Sequence, residues 1–378
     1  MKKHLFMTEE QKEIIGLAKQ ILDKELKPRV RELEEIGEFP MDVFQKMYEA
    51  GLYGIEIPEK YGGMGASFET SFMLNEEMAW YEPGFAFAFR LGSGVTNSIF
   101  LSGSEELKER AAKMILDGKI GAFCLTEAEA GSDAGAIRTT AVRDGDDYII
   151  NGTKTFISNG GIADFFVVAA TLDRDLKHKG ITLFLIEKER GVIIGKREDK
   201  MGLKLSITNE LVFDNVRIPA SNLIGKEGEG FRLAMQDMES VRPGCMMYAV
   251  GLSQRALDEA VAYAKVRKTF GEPIINYQGV SFILADMQKK VHMCRASLMQ
   301  IARALDHGLP LHGYGSSAKT FVSDSAMEIT TDAVQILGGY GYMKDYPVEK
   351  LMRDAKIFQI FEGTNQIQNV VLAGMLAR

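Results

Sequence analysis

The stretch Cys124-Leu125-Thr126-Glu127-Ala128-Glu129-Ala130-Gly131-Ser132-Asp133-Ala134-Gly135-Ala136 lies where one texture of the chain gives way to another. Before it, apolar residues recur at helical spacing; after it come short β-branched and aromatic runs separated by turn dipeptides. Its small side chains permit close backbone approach, and its hydroxyls and free amides suit an electron-rich ring edge or a phosphate. The same composition also describes a Gly/Ala-rich linker, so the segment alone leaves both readings open.

Working towards the N-terminus, the spacing of Thr8 and Gln11 predicts a capping box, and Ile14, Ala18, Ile21 and Leu22 continue a helix. Helical periodicity returns over Met41–Ala50, Phe68–Tyr81 and Glu105–Asp117, with Pro40, the loop Gly62-Gly63-Met64-Gly65 and Gly118 as breakers. Residues 1–120 are therefore expected to form an N-terminal α-helical domain. On the other side, Tyr148-Ile149-Ile150, Phe165–Ala170, Ile181–Ile186, Val192-Ile193-Ile194 and Leu211-Val212-Phe213 read as strands. Asp144-Gly145, Asn151-Gly152 and Asn159-Gly160 supply hairpin-type turns around them. Residues 121–230 are expected to be a middle antiparallel β domain. Long helical patterns over Phe231–Lys265, Gln278–Asp306, Ser316–Leu337 and Pro347–Ala377 make residues 231–378 a C-terminal four-helix bundle. The segregated α–β–α order argues for the α+β class over a doubly wound sheet.

Composition narrows the function. The 378 residues are 46% hydrophobic and 26% charged, an ordinary globular mixture, and the net charge of -7 gives no support to nucleic-acid or anionic-membrane binding. Three widely spaced cysteines, Cys124, Cys245 and Cys294, fit neither a disulfide framework nor a zinc knuckle, and the five histidines lack ligand spacing, so no metal is expected. The start has Lys2 and Lys3 but only Leu5, Phe6 and Met7 where a signal peptide needs an apolar core, and no apolar run reaches the roughly 20 residues that span a bilayer. A cytoplasmic protein is expected. No GxGxxG follows a strand, and no GxxxxGK[ST] or GxSxG occurs, which leaves a carboxylate as the expected general base.

Two later segments carry chemistry. Gln335-Ile336-Leu337-Gly338-Gly339-Tyr340-Gly341-Tyr342, followed by Asp345, Lys350 and Asp354, places glycines after a helical run, which alone would be a C-cap and turn. In Phe361-Glu362-Gly363-Thr364-Asn365-Gln366-Ile367-Gln368, an acid follows Ile357, Ile360 and Phe361 and precedes a glycine. An acid in apolar surroundings has a raised pKa, which suits a base that holds a proton between steps. The alternative is an ordinary solvated helix glutamate.

Together the three segments resemble the acyl-CoA dehydrogenase flavoprotein family, over about Thr8 to Ala377. Its signatures match at Cys124–Ala136 and Gln335–Asp354. Lys154-Thr155-Phe156-Ile157-Ser158-Asn159-Gly160, Arg267-Lys268-Thr269-Phe270-Gly271 and Phe361-Glu362-Gly363-Thr364 match in the same order. The resemblance implies FAD lying between the β domain and the C-terminal helices. Phe123, Leu125, Thr126, Gly131, Ser132, Phe156 and Ser158 would serve the flavin, Thr126 and Ser158 bonding the isoalloxazine edge and Phe156 packing beside the ring. Arg267, Thr269, Phe270 and Gln278 match positions for the pyrophosphate and adenosine, and Thr364 and Gln366 join the FAD set. Gln335, Gly338 and Gly339 match a loop lent to the FAD of a neighbouring subunit, which implies at least a homodimer and, commonly in the family, a homotetramer.

Glu362 occupies the family's catalytic-base position. Related members carry that glutamate on an earlier helix just before an arginine, where this chain has Val241 before Arg242. In the implied reaction the base removes an α-proton of an acyl-CoA while the β-hydride passes to flavin N5, and the electrons go on to an electron-transferring flavoprotein. The thioester oxygen is held by the base residue's own N–H and a FAD ribityl hydroxyl. Gly363 falls at the substrate, and Ser132, Glu239 and Arg242 fall near the CoA. Arg90, inside Phe85-Ala86-Phe87-Ala88-Phe89, departs from the small or apolar residues usual for straight-chain members, and lies close to positions at which glutaryl-CoA dehydrogenases hold a distal carboxylate. It reads either as a selector of a polar or carboxylate-bearing, short or unusual acyl group, or as half of an ion pair with Glu76 or Glu77. The same chemistry run backwards would make a 2-enoyl-CoA reductase, and a non-catalytic flavin-binding or assembly protein is the reading from another class. Oxygen-using oxidases of the family usually carry an extra helical domain beyond the equivalent of Arg378, so a dehydrogenase is expected.

Overall fold

The computed structural model describes residues 4–377; Lys2 and Lys3 of the signal-like start lie outside them. Thr8 Oγ1 accepts the Gln11 N–H at 3.1 Å and Gln11 Oε1 accepts the Thr8 N–H at 3.0 Å, the reciprocal box that starts α1 (Glu9–Ile21). After α2 (Val30–Ile36) and α3 (Met41–Glu49), Ser67 caps α4 (Phe68–Tyr81). This helix is buried on almost every face, so it shows little amphipathic bias. The alternation Phe85-Ala86-Phe87-Ala88-Phe89 has strand period, yet it is helical in α5 (Pro83–Gly94). The Glu82 carboxylate accepts the Phe85 N–H as N-cap, and Pro83 presets the first turn. The helices α6 (Asn97–Ser102) and α7 (Glu105–Leu116) complete this part.

The strands are β1 (Gly121–Cys124), β2 (Thr140–Asp144), β3 (Asp147–Ser158), β4 (Phe165–Thr171), β5 (Ile181–Glu187), β6 (Ile193–Arg197), β7 (Thr208–Pro219) and β8 (Leu223–Ile224). They form one sheet in the order β6-β7-β3-β2-β4-β5-β8, with β1 added to β4. Pairing is antiparallel except that β1 runs parallel to β4, and β2 meets β4 in parallel at Thr140 and Thr171. Alternate residues of β4 serve two cores: Phe165, Val167 and Ala169 face the helices, whereas Phe166, Val168 and Ala170 join Tyr148, Phe184 and Phe213 on the other side. Burial of both faces explains why β4 reads as an unbroken apolar run.

Two of the expected hairpin turns are something else. Asn151-Gly152 lies inside β3, where the pairing with β7 shifts register; a Cβ on Gly152 would come within 2.5 Å of Thr139 Oγ1, so the glycine serves close packing at a bulge. Asn159-Gly160 turns the chain, but β2 separates β3 from β4. Asn159 adopts a left-handed conformation and its side-chain amide donates to Ala88 O at 2.9 Å, tying the sheet to α5.

The chain then enters α8 (Gly230–Val266), a short hairpin of β9 (Lys268–Thr269) and β10 (Glu272–Pro273), α9 (Gln278–Asp306) and α10 (Tyr314–Leu337). At 37 residues α8 runs about 55 Å, long enough to pack on α4 and α5 as well as on α9 and α10. The helical pattern read across Pro347–Ala377 is not one helix. It divides into α11 (Val348–Ala355), a 3₁₀ turn at Lys356–Gln359 and α12 (Asn365–Leu376), with Glu362 and Gly363 both left-handed in the break and Thr364 capping α12. Periodicity carried through the break because Ile357, Phe358 and Phe361 still face the core.

Candidate active site

A cavity of about 360 Å³ opens between α4, α5 and α6 on one side and α8 on the other, with Phe123 of β1 and Glu362 closing its edge. Its walls are mostly apolar, and two polar groups stand out. At one, the chain turns at Glu362 with φ 56°, a conformation costly for a non-glycine residue. Contacts to its carbonyl hold it there: Arg242 Nε donates at 2.9 Å and Gln368 Nε2 at 3.3 Å, and Gln368 is itself anchored by Ser316 Oγ at 2.8 Å. The carboxyl is left almost free. Oε2 is buried without a partner, and the Cys245 thiol lies 4.0 Å from Oε1. Burial raises the Glu362 pKa, opposed by the charges of Arg242 and Lys319. Lys319 is buried, donates to Asn365 Oδ1 at 2.7 Å, and is pushed down to about 8 by burial and then by Arg242. It thereby fixes Asn365, the first residue of α12, three positions after the base.

The second polar group contains Arg90, 6% exposed. Its guanidinium pairs with Glu56, and it donates from Nε to Asn75 Oδ1 at 3.0 Å and from Nη2 to Ser71 Oγ at 3.0 Å. The carboxylate partner is thus Glu56, not the expected Glu76 or Glu77; Glu76 is taken by Arg295 at 2.7 Å. Sequence spacing could not find this, because Glu56 comes from an irregular loop before α4. Nη1 is buried without a partner, and Arg90, Glu56, Ser71 and Asn75 all line the cavity that holds Glu362.

A separate open groove of about 550 Å³ lies on the C-terminal helices, lined by Tyr263, Arg267, Thr269, Gly338, Gly339 and Tyr340. Arg267 sits 6.0 Å from the centre of the Tyr340 ring and has no carboxylate partner among the described residues. A Cβ on Gly338 or Gly339 would meet nothing within 4 Å, so the backbone is open to a ligand. An unneutralised guanidinium facing bare backbone fits a pyrophosphate. Arg267, Thr269, Gly338 and Gly339 therefore share one groove of one chain. Gln278 and Gln335 are exposed at the ends of α9 and α10.

At the sheet, Phe123 lines the cavity, while Thr126 and Ser158 are half-buried. Phe156 is left-handed and 64% exposed and Phe270 98% exposed, two aromatic rings without cover. Thr155 Oγ1, beside Phe156, is buried and unpartnered. These features fit a large planar, polar-edged group such as a flavin. The loop leading into the segment is pinned by a pair that the sequence reading missed: buried Lys154 donates to Glu127 at 2.8 Å and to Leu125 O at 3.0 Å, and Glu127 also accepts from Thr139. Gly131 and Ser132 are exposed beyond it and Gln366 is exposed on α12; none lines the cavity. Glu239 likewise points outward from α8, whereas Cys245 and Tyr248, which the reading did not single out, face Glu362 and Arg90. Of the second signature, Lys350 binds Glu82 at 2.6 Å and Asp354, locking the α5 N-cap to α11, so these charges serve the scaffold.

The helical–sheet–helical fold thus sets a buried carboxyl at the edge of an apolar cavity and a separate groove fitted to an anion, the arrangement of an enzyme that moves a proton beside a phosphate-bearing ligand. Family models for the acyl-CoA dehydrogenase N-terminal, middle and C-terminal domains match residues 8–119, 122–216 and 228–376. An acyl-CoA dehydrogenase of Bacillus subtilis (strain 168) is 42% identical over 98% of this chain and 99% of its own. Butyryl-CoA dehydrogenase from Megasphaera elsdenii superposes with a TM-score of 0.96 at 40% identity, over 99% of this chain and all of that one. A chain in a structure described as the electron transferring flavoprotein of Acidaminococcus fermentans also gives 0.96, at 42% identity and the same coverage. The chain belongs to the acyl-CoA dehydrogenase family of oxidoreductases. Among the described residues no helix is long and apolar enough to cross a membrane, and no cluster of His, Cys, Asp and Glu is arranged to hold a metal.

Proposed function

We propose that this chain catalyses FAD-dependent α,β-dehydrogenation of an acyl-CoA thioester, with Glu362 taking the α-proton. The observation that carries the reading is the state of Glu362: fixed through its carbonyl, unpartnered at Oε2, raised in pKa, and facing an apolar cavity. FAD, when bound, supplies the two-electron oxidant that receives the β-hydrogen. The chain's own part is to place the thioester. No acceptor among the described residues takes up the Glu362 N–H, which leaves it free to donate to the thioester oxygen and stabilise the charge that develops there. The groove at Arg267, Thr269, Gly338 and Gly339 would hold the pyrophosphate end of FAD. Thr126, Phe156 and Ser158 would hold the flavin. Because Glu56 already neutralises Arg90, the cavity favours a short acyl group whose tip is uncharged.

Butyryl-CoA dehydrogenase as a structural neighbour supports a short acyl chain. The Acidaminococcus fermentans neighbour supports an electron-transferring flavoprotein as acceptor. Uncovered Phe270, Phe282, Phe321, Val370, Val371 and Leu376 on the C-terminal part support a homodimer or homotetramer that buries them. Three free buried thiols suit a reducing cytoplasm. The test is anaerobic bleaching of the protein-bound flavin by a panel of acyl-CoA thioesters. Butanoyl-CoA should bleach it, and a flavin that no saturated thioester reduces would exclude dehydrogenation.

A further inference from the structure

The cavity contains a second enclosed carboxyl group that the reaction as derived leaves unused. Asp237 lies on α8 two residues before Glu239 but faces inward: it is 6% exposed and forms part of the wall with Ala234, Met238 and Val241. The four-residue steps Asp237, Val241, Cys245 put it on the stripe of α8 that carries the thiol beside Glu362, about 12 Å further along the helix axis. Phe100 and Leu101 line the same cavity, as does Asn97 at the start of α6, whose side chain opposes the rise in the carboxyl's pKa. Oδ1 is buried and has no hydrogen-bond partner. Such a group in a folded protein calls for a reason, and a bound ligand that completes it is the one this cavity offers. Burial, and then the charge of Glu362, keep the carboxyl protonated close to neutral pH, so it presents a donor as well as an acceptor.

We propose that Asp237 is a specificity-determining residue whose carboxyl hydrogen-bonds a neutral polar group of the bound thioester, either an amide of the carrier arm or a hydroxyl or amide on the acyl chain. This rests on the reading of the cavity as the thioester site. An anionic group is unsuited, because Glu56 and Glu362 line the same space.

The test is calorimetric binding to FAD-loaded protein in a Glu362→Gln background, where turnover is blocked, with butanoyl-CoA and 3-hydroxybutanoyl-CoA as ligands. Asp237→Ala should weaken binding of at least one of them on the order of 10-fold, whereas Asp237→Asn, which keeps shape and a donor, should stay within about 3-fold. Equal loss for the two ligands assigns the bond to the carrier arm; loss confined to the hydroxylated one assigns it to the acyl chain. Unchanged binding of both overturns the proposal, as does a loss shared by Asp237→Asn and accompanied by lost FAD and a lower melting temperature. If the Asp237-containing parent binds neither thioester, the reading of the cavity fails first and takes this proposal with it.

Discussion

Replacing Arg90 by Met keeps an unbranched stem and deletes the charge, so it separates a structural ion pair from a substrate contact. Three interactions go: the pair with Glu56, the bond to Asn75 at 3.0 Å and the bond to Ser71 at 3.0 Å. Breaking a buried pair by removing one partner costs about 3–5 kcal/mol. The Glu56 side chain left behind is 32% exposed and regains some water, so the loss should fall to ~2–3 kcal/mol. Glu56→Gln strands the more deeply buried guanidinium and should cost more, about 3–5 kcal/mol. The double variant leaves no uncompensated charge and should recover at least ~1 kcal/mol relative to the sum of the single ones. Chemical denaturation of the FAD-loaded protein measures all three. In anaerobic bleaching, the preference between butanoyl-CoA and glutaryl-CoA should shift less than about threefold, because the guanidinium is already engaged within the protein. The reasoning is refuted if Arg90→Met is as stable as wild type while glutaryl-CoA alone loses on the order of 30-fold or more in bleaching efficiency.

Glu362→Gln keeps shape but cannot accept a proton, so substrate-driven flavin reduction should fall by on the order of 10²–10⁴ or more with FAD content unchanged. Substantial residual reduction would point to another carboxylate, and outward-facing Glu239 is a poor candidate. Arg267→Ala removes a charge-assisted contact worth about 1.5–3 kcal/mol, and the purified variant should lose FAD on dilution and desalting; flavin content equal to wild type would move the pyrophosphate elsewhere. Asp237 is raised from 3.8 to about 8, chiefly by burial and secondly by Glu362, with Asn97 opposing. Between those values the unfolded chain releases a proton that the folded chain retains, so this site's contribution to stability falls as pH rises. Asp237→Asn, which does not titrate, should therefore gain on wild type between pH 5 and pH 8 in urea melts, and a gap independent of pH would contradict the raised value.

The order of helices, sheet and helices was legible because each element obeys a local rule. Thr8 and Gln11 satisfy helix N–H groups reciprocally, Phe165–Ala170 is apolar on both faces of a buried strand, and α9 (Gln278–Asp306) begins and ends where its periodicity does. Glu362 could be singled out because an acid set among Ile357, Ile360 and Phe361 suits a base and falls at the base position of the family it resembles, whereas the left-handed break at Glu362 and Gly363 was hidden inside a continuous helical pattern. What the sequence could not supply were pairings between residues distant along the chain. Lys154 with Glu127, Lys350 with Glu82, Arg242 with the Glu362 carbonyl and Arg90 with Glu56 each join elements whose separation carries no periodic signal. The orientation of α8 was likewise decided by packing: the rotation that buries Leu233, Ala234 and Cys245 turns Asp237 into the cavity and Glu239 out to solvent. Two acids two positions apart look equivalent in sequence. Their fates differ because a helix advances about 100° per residue, so the two cannot share one face, and only the assembled core fixes which of them meets water.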